Sequence, residues 1–240
     1  MFRTRCSQGR GGSTPLPGTM RHLGKVDCTW SAELAYAIGL IVTDGCLSND
    51  NRHMNLTSKD VEQIQTFARL LNLKNKVGKK SSGSQVEKKY FSLQFGDVRF
   101  YDFLLSVGLT PRKSKTMGSI KVPEQYFRDF LRGHFDGDGC SHSYFDPVWE
   151  KSFRLYLSFI SASKKHLIWL KKEILKSNDV RGNVIRSGKN GGMYLLRFAK
   201  YDSMKLFDFI YYEPELPCLT RKRLKFAEAV ATARLSNKLV

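Results

Sequence analysis

Residues 37–45 read AIGLIVTDG, and residues 131–139 read LRGHFDGDG. Gly39 and Gly133 stand 94 positions apart, and so do Asp44 and Asp138, Gly45 and Gly139, and Cys46 and Cys140. The echo continues downstream. Thr57-Ser58-Lys59 and Ser161-Ala162-Ser163 each precede a helical pattern. Leu93-Gln94-Phe95 matches Leu196-Arg197-Phe198 at an offset of 103, and Tyr101-Asp102-Phe103-Leu104 matches Phe207-Asp208-Phe209-Ile210 at 106. Leu109-Thr110-Pro111-Arg112-Lys113 matches Leu219-Thr220-Arg221-Lys222. Matches kept in order and drifting through insertions indicate a duplicated unit. The first jump in offset places a longer loop of the second half within residues 141–154.

Each half reads as helix, strands, helix, strands, helix. Ser31 is placed to cap the first helix with Glu33 in its first turn, and Pro123 suits the first helical position of its counterpart. Strands are expected at 52–57, 90–95, 154–160 and 193–198, which are rich in aromatic and branched residues. Residues 188–192, GKNGG, read as a turn between two strands.

The chemistry lies in the two quoted words. Each ends a helix on an aspartate followed by glycine, a residue that tolerates a left-handed exit. A carboxylate at a helix C-terminus is unfavourable because the dipole there is already negative, so a positive group is expected beside it. A divalent cation held by the carboxylate and a neighbouring carbonyl would serve. Gly39 and Gly133 each cost about 1 kcal/mol relative to alanine inside a helix. Close approach of the two helices would justify that cost and bring Asp44 and Asp138 together.

Composition agrees with an anionic partner. The 240 residues hold 40 Lys and Arg against 22 Asp and Glu, a net charge of +18. That points first to nucleic acid. No run approaches 18 apolar residues, so no membrane span is expected. The five cysteines form no CxxC pair, which speaks against a zinc site or a disulfide framework and for an intracellular setting. Residues 1–26 carry Arg3, Arg5, Arg10, Arg21 and Lys25 and no acid. They read as a loose basic leader or an organellar presequence, leaving bacterial cytoplasm and organelle both open. The chain ends Asn237-Lys238-Leu239-Val240 rather than His-Asn, so a free-standing protein is expected over an intein.

The paired words resemble the LAGLIDADG motif, and the chain over residues 31–226 resembles the two-motif, single-chain homing endonucleases of that family. The resemblance implies an α+β fold of two pseudo-symmetric αββαββα halves with saddle-shaped antiparallel sheets over the DNA major groove. The corresponding division is a leader (1–28), two halves (29–118 and 119–228) and a tail (229–240). It implies a monomeric endonuclease that uses Mg²⁺ to hydrolyse one phosphodiester on each strand of a long asymmetric duplex site.

The metal would be held by Asp44 and Asp138 with the carbonyls of Thr43 and Gly137, while Gly39 and Gly133 form the interface between halves. Lys113 and Lys222 fall where the family places a lysine beside the metals, and Lys59 and Ser163 where it places a polar residue near the hydrolytic water. Lys79, Lys80, Lys88, Lys89, Arg186, Lys189 and Arg197 are the candidate strand contacts to DNA. Val42 faces Asp136 across the repeat, and Asp136 is assigned no catalytic role. An EF-hand starting at Asp136 fails because Pro147 occupies its twelfth position. His134, His142 and His166 show no zinc or triad spacing. The same fold and charge would also suit a maturase acting on intron RNA, or a DNA-binding protein that does not cut.

Overall fold

A computed structural model describes residues 24–81, 89–188 and 192–236. The first half runs α1 (Ala32–Asp44), β1 (Gly45–Leu47), β2 (His53–Ser58), α2 (Val61–Leu70), β3 (Gly78–Lys80), β4 (Tyr90–Gly96) and α3 (Val98–Ser106). The second repeats the order: α4 (Phe127–Asp138), β5 (Gly139–Phe145), β6 (Phe153–Ser161), α5 (Lys164–Asn178), β7 (Asn183–Ser187), β8 (Met193–Phe198) and α6 (Lys200–Ile210). It then adds α7 (Thr220–Ser236). Each half is therefore an αββαββα unit. The chain is α+β with two antiparallel four-stranded sheets, ordered β1-β2-β4-β3 and β5-β6-β8-β7.

Helix α1 begins where Ser31 Oγ accepts a hydrogen bond from Leu34 N at 3.1 Å, satisfying an otherwise orphaned donor. From Leu34 to Val42 every residue is buried, so α1 is a core helix. Its counterpart starts differently from the sequence expectation. Pro123 caps a short 3-10 turn, Glu124–Tyr126, and α4 opens only at Phe127. The fixed proline φ suits either opening.

In each sheet, alternate residues face the helices. Met54 pairs with Phe95 and Leu56 with Leu93, while Leu157 pairs with Phe198 and Phe159 with Leu196. All eight are buried. The opposite face carries Cys46, Asn55 and Gln94 in one half and Cys140, Ser158 and Arg197 in the other.

The extra residues of the second half lie in strands as well as in a loop. Strand β5 has 7 residues against 3 in β1, and β6 has 9 against 6 in β2. Register aligns Gly45 with Gly139 and their partners Leu56 with Phe159, which reproduces the step in offset from 94 to 103. At the ends of the chain, Val26 packs into the core and donates its N–H to Asp97 at 3.0 Å. Helix α7 continues past residue 228, with Ala229, Val230 and Ala233 buried. No helix among the described residues is long and apolar enough to cross a membrane.

Candidate functional site

Asp44 and Asp138 are the last residues of α1 and α4. The helices meet at Gly39 and Gly133. A Cβ on Gly39 would collide with the carbonyl oxygen of Phe130 and stand 2.7 Å from His134 N. One on Gly133 would collide with the Tyr36 carbonyl and stand 3.2 Å from Gly39 Cα. Only hydrogen fits at this crossing, so the backbones touch and the C-terminal ends converge. There a Cβ on Gly137 would strike Thr43 Oγ1 and lie 3.1 Å from Asp44 Oδ2.

Gly45 and Gly139 are not left-handed. Their φ values are −85° and −81°, an extended backbone any residue adopts. Space selects glycine here: an added Cβ would lie 2.7 Å from Ile41 O or 2.5 Å from Phe135 O.

The positive groups expected at the helix ends are present as lysines. Lys222 Nζ donates to the carbonyls of Phe135, Gly137 and Gly139 at 3.0, 2.7 and 2.8 Å. Lys113 Nζ donates to Gly45 O at 2.5 Å. Each ammonium neutralises a helix C-terminus directly, and burial lowers the pKa of both. The Gly137 carbonyl, a candidate metal ligand, is thus already engaged by Lys222.

Burial raises both motif carboxyls above their ordinary range. Asp138 reaches about 6, with the charge of Asp44 as the second cause. Asp44 is raised as well, with a hydrogen bond from Gln63 Nε2 at 3.2 Å and the nearby Lys222 and Lys113 opposing the desolvation. Two desolvated carboxyls at converging helix ends, one of them raised further by the charge of the other, suit a divalent cation. Among the described residues no group of three or more His, Cys, Asp or Glu side chains could hold one. The protein donors would be these two aspartates with main-chain carbonyls.

The other proposed site residues are placed as follows. Lys59 is exposed, with its ammonium 5.4 Å from the Tyr90 ring centroid. Ser163 is buried, and its Oγ donates to Met117 O at 2.5 Å and accepts from His166 N. Neither hydrogen-bonds to an aspartate. Ser163 caps α5 as Asp60 occupies the cap position of α2, so Lys59 corresponds to Ala162 and the two residues are not equivalents. The side chain on Asp44 is instead Gln63, one turn into α2. Its counterpart by cap position is His166, which shares no chemistry with it, so the repeat gave no signal.

His166 serves packing. Its Nδ1 donates to Gly118 O at 2.8 Å, and its Nε2 lies 2.9 Å from His134 Nε2 in a buried pair. Burial holds His166 down at about 4 and His134 well below the usual range.

Among the strand residues, Lys79 and Lys80 lie on β3, Arg186 on β7 and Arg197 on β8. Exposed Lys89 immediately precedes β4. Lys88 and Lys189 lie outside the described residues. Directly paired residues share a face. Lys79 pairs with Phe91 and Arg186 with Tyr194, both packed against the core, whereas Lys80 pairs with Tyr90 and Arg197 with Ser158 on the open face. Being on a strand did not decide the face; register parity did.

Asp136 is a buried tie between elements. Fully buried, it accepts from Tyr36 Oη at 2.8 Å and Leu219 N at 2.7 Å. It thereby ties α1 to the entrance of α7, three residues before Lys222. Burial raises its carboxyl to about 6. Asp136→Ala leaves both donors buried and unpartnered, so a loss of about 2–4 kcal/mol is expected in chemical denaturation. A midpoint unchanged from the parent would remove this role. A cross-half contact holds the same segment: Arg221 Nε and Nη2 each lie 2.7 Å from an oxygen of Asp60, and Thr220 bonds Glu62.

The fold is that of the LAGLIDADG homing endonucleases. The chain superposes on the LAGLIDADG homing endonuclease I-LtrWI bound to its target DNA with TM-score 0.59 and 12% identity, covering 87% of this chain and 93% of that one. On mesophilic variants of the homing endonuclease I-DmoI the TM-score is 0.52 at 20% identity, covering 76% and 97%. The N-terminal LAGLIDADG domain of WhiA gives 0.51 at 15% identity, covering 78% and 85%. No family model matches the sequence, and no curated protein matches it significantly.

Proposed function

We propose that this protein is a single-chain LAGLIDADG endonuclease that cuts both strands of a long, asymmetric duplex DNA site with a divalent cation, Mg²⁺ in the first instance. The observation that carries this reading is the convergence of Asp44 and Asp138 at a glycine-to-glycine helix crossing, with buried Lys113 and half-buried Lys222 beside them. Both halves come from one chain, so one molecule supplies both acids and acts as a monomer. The net charge of +18 and the uncovered sheet faces suit the phosphate backbone and groove of DNA.

Asp44 and Asp138 would hold the cation, which when bound would polarise the scissile phosphate and lower the pKa of its water. The protein's own groups do the rest. Gln63 donates to Asp44 Oδ2 and fixes the direction of that carboxylate. Lys113 and Lys222 hold the motif helix ends at fixed depth and favour the ionised acids. Their fixed positive charge also suits the negative charge that builds on phosphate during hydrolysis.

The test is incubation with Mg²⁺ and duplex carrying the uninterrupted locus of the gene. One double-strand cut is expected, and both Asp44→Asn and Asp138→Asn should abolish it. Undiminished cutting by both variants overturns the mechanism. Absence of any cut together with tight binding of the host intron RNA overturns the function in favour of a maturase.

A further inference from the structure

Gln94 and Arg197 occupy the same place in the two halves. In the first sheet Cys46 pairs with Asn55 and Asn55 with Gln94. In the second Cys140 pairs with Ser158 and Ser158 with Arg197. Each row begins two residues after a motif aspartate and lies on the open face of its sheet. Gln94 and Arg197 therefore stand two strands out, roughly 10 Å from β1 or β5 given ordinary strand spacing. The pseudo-symmetry sets them equally far from the aspartates, on opposite sides.

Their neighbours leave them as the reaching groups of each row. Cys46, Cys140 and Ser158 are short. The Asn55 amide donates to Ser92 Oγ at 2.9 Å, and its carbonyl oxygen accepts from Thr57 at 2.8 Å. Gln94 and Arg197 are exposed, and among the described residues no hydrogen bond ties the Gln94 side-chain amide and no ion pair engages Arg197. The Arg197 guanidinium carbon lies 5.4 Å from the Tyr156 ring centroid, and Tyr156 is stacked on Tyr144. That bracing holds a planar fork above the sheet and reduces the rotamer freedom lost on binding.

We infer that Gln94 and Arg197 read base pairs at mirror-related positions of the DNA target, Gln94 selecting adenine in one half-site and Arg197 selecting guanine in the other. A glutamine amide pairs its donor and acceptor with adenine N7 and N6, and a guanidinium gives two donors to guanine O6 and N7. The two half-sites therefore differ at this rank even though the fold is duplicated. The inference rests on the proposed DNA-cutting function and assigns the specificity of the same interface.

The test is selection of bound duplexes from a pool of 30-base-pair DNAs with a randomised core, using the full chain without Mg²⁺, followed by sequencing. The parent should enrich adenine at one position and guanine at another equally distant from the centre. Gln94→Arg should convert the first to guanine and Arg197→Gln the second to adenine. Each change in preference should be about 5- to 150-fold, with other positions keeping their base. A parent that enriches a defined site, with both swaps leaving every position unchanged or acting at unequal distances, overturns this inference alone. A parent that enriches no site overturns the DNA-specific function and this inference with it.

Discussion

Asp138→Asn is expected to make the metal-free protein more stable at pH 7.5 while removing the cutting activity proposed for it. Burial and the neighbouring Asp44 push the Asp138 carboxyl from 3.8 up to about 6. The folded state therefore binds this proton more tightly than the unfolded chain does. The resulting stabilisation is fully present below pH about 4 and is lost as pH rises through about 6. At pH 7.5 the ionised acid weakens the metal-free fold by roughly 2–3 kcal/mol, taking 1.36 kcal/mol per pH unit as the conversion. Asparagine keeps the shape and removes the charge. Thermal melts without metal should show a rise in Tm of about 5 °C or more at pH 7.5, shrinking towards pH 4. In the parent, Mg²⁺ should raise Tm at pH 7.5, and by less as pH drops through about 6, where the acid of the metal-free site takes up its proton in competition with the cation. A variant that melts below its parent at every pH would place Asp138 among purely structural residues.

Gly39→Ala and Gly133→Ala are expected to destabilise the protein strongly, although alanine is the better helix former. Propensity favours each substitution by about 1 kcal/mol. Against it, the new methyl group meets main-chain oxygen of the facing helix, Phe130 O or Tyr36 O, which no rotamer change relieves. Overpacking in a close-packed core costs about 1–3 kcal/mol where side chains can shift, and more where backbone must move. A net loss of about 3 kcal/mol is expected for either variant in urea denaturation, and the proposed cutting should fall further because the aspartates move apart. The double variant should lose less than the sum of the single losses, because the first methyl already separates the helices. Strict additivity would show that the two glycines do not share one contact.

The sequence carried some features of the site and left others open. Asp44, Asp138, Gly39 and Gly133 could be read because they recur at one offset and their chemistry is local: a helix end, an acid, a missing side chain. Lys113 and Lys222 were singled out by the family resemblance, at matching places in the repeat. Their carbonyl partners lie 68 and 83–87 residues away, so their helix-capping role needed the fold. Gln63 was missed because its contact with Asp44 spans 19 residues and its counterpart His166 serves a different purpose. The pairing of Lys59 with Ser163 was one position out, since matched words cannot fix the cap of a helix. Pro123 and the glycines after the acids suit more than one backbone path, and packing chose between them.

By itself the sequence determined that this protein is a duplicated chain of helices and strands, with an acid at the end of each motif helix and a strong positive charge. Those properties follow from local periodicity, capping chemistry and internal repetition, which do not depend on what lies across the core. The tertiary structure alone decided which open-face residues stand beside one another, that lysines rather than left-handed turns close the motif helices, and that α7 extends the second half beyond residue 228. These depend on strand register and long-range packing. A shift of one residue in register exchanges the two faces of a strand, and nothing local in the chain fixes it.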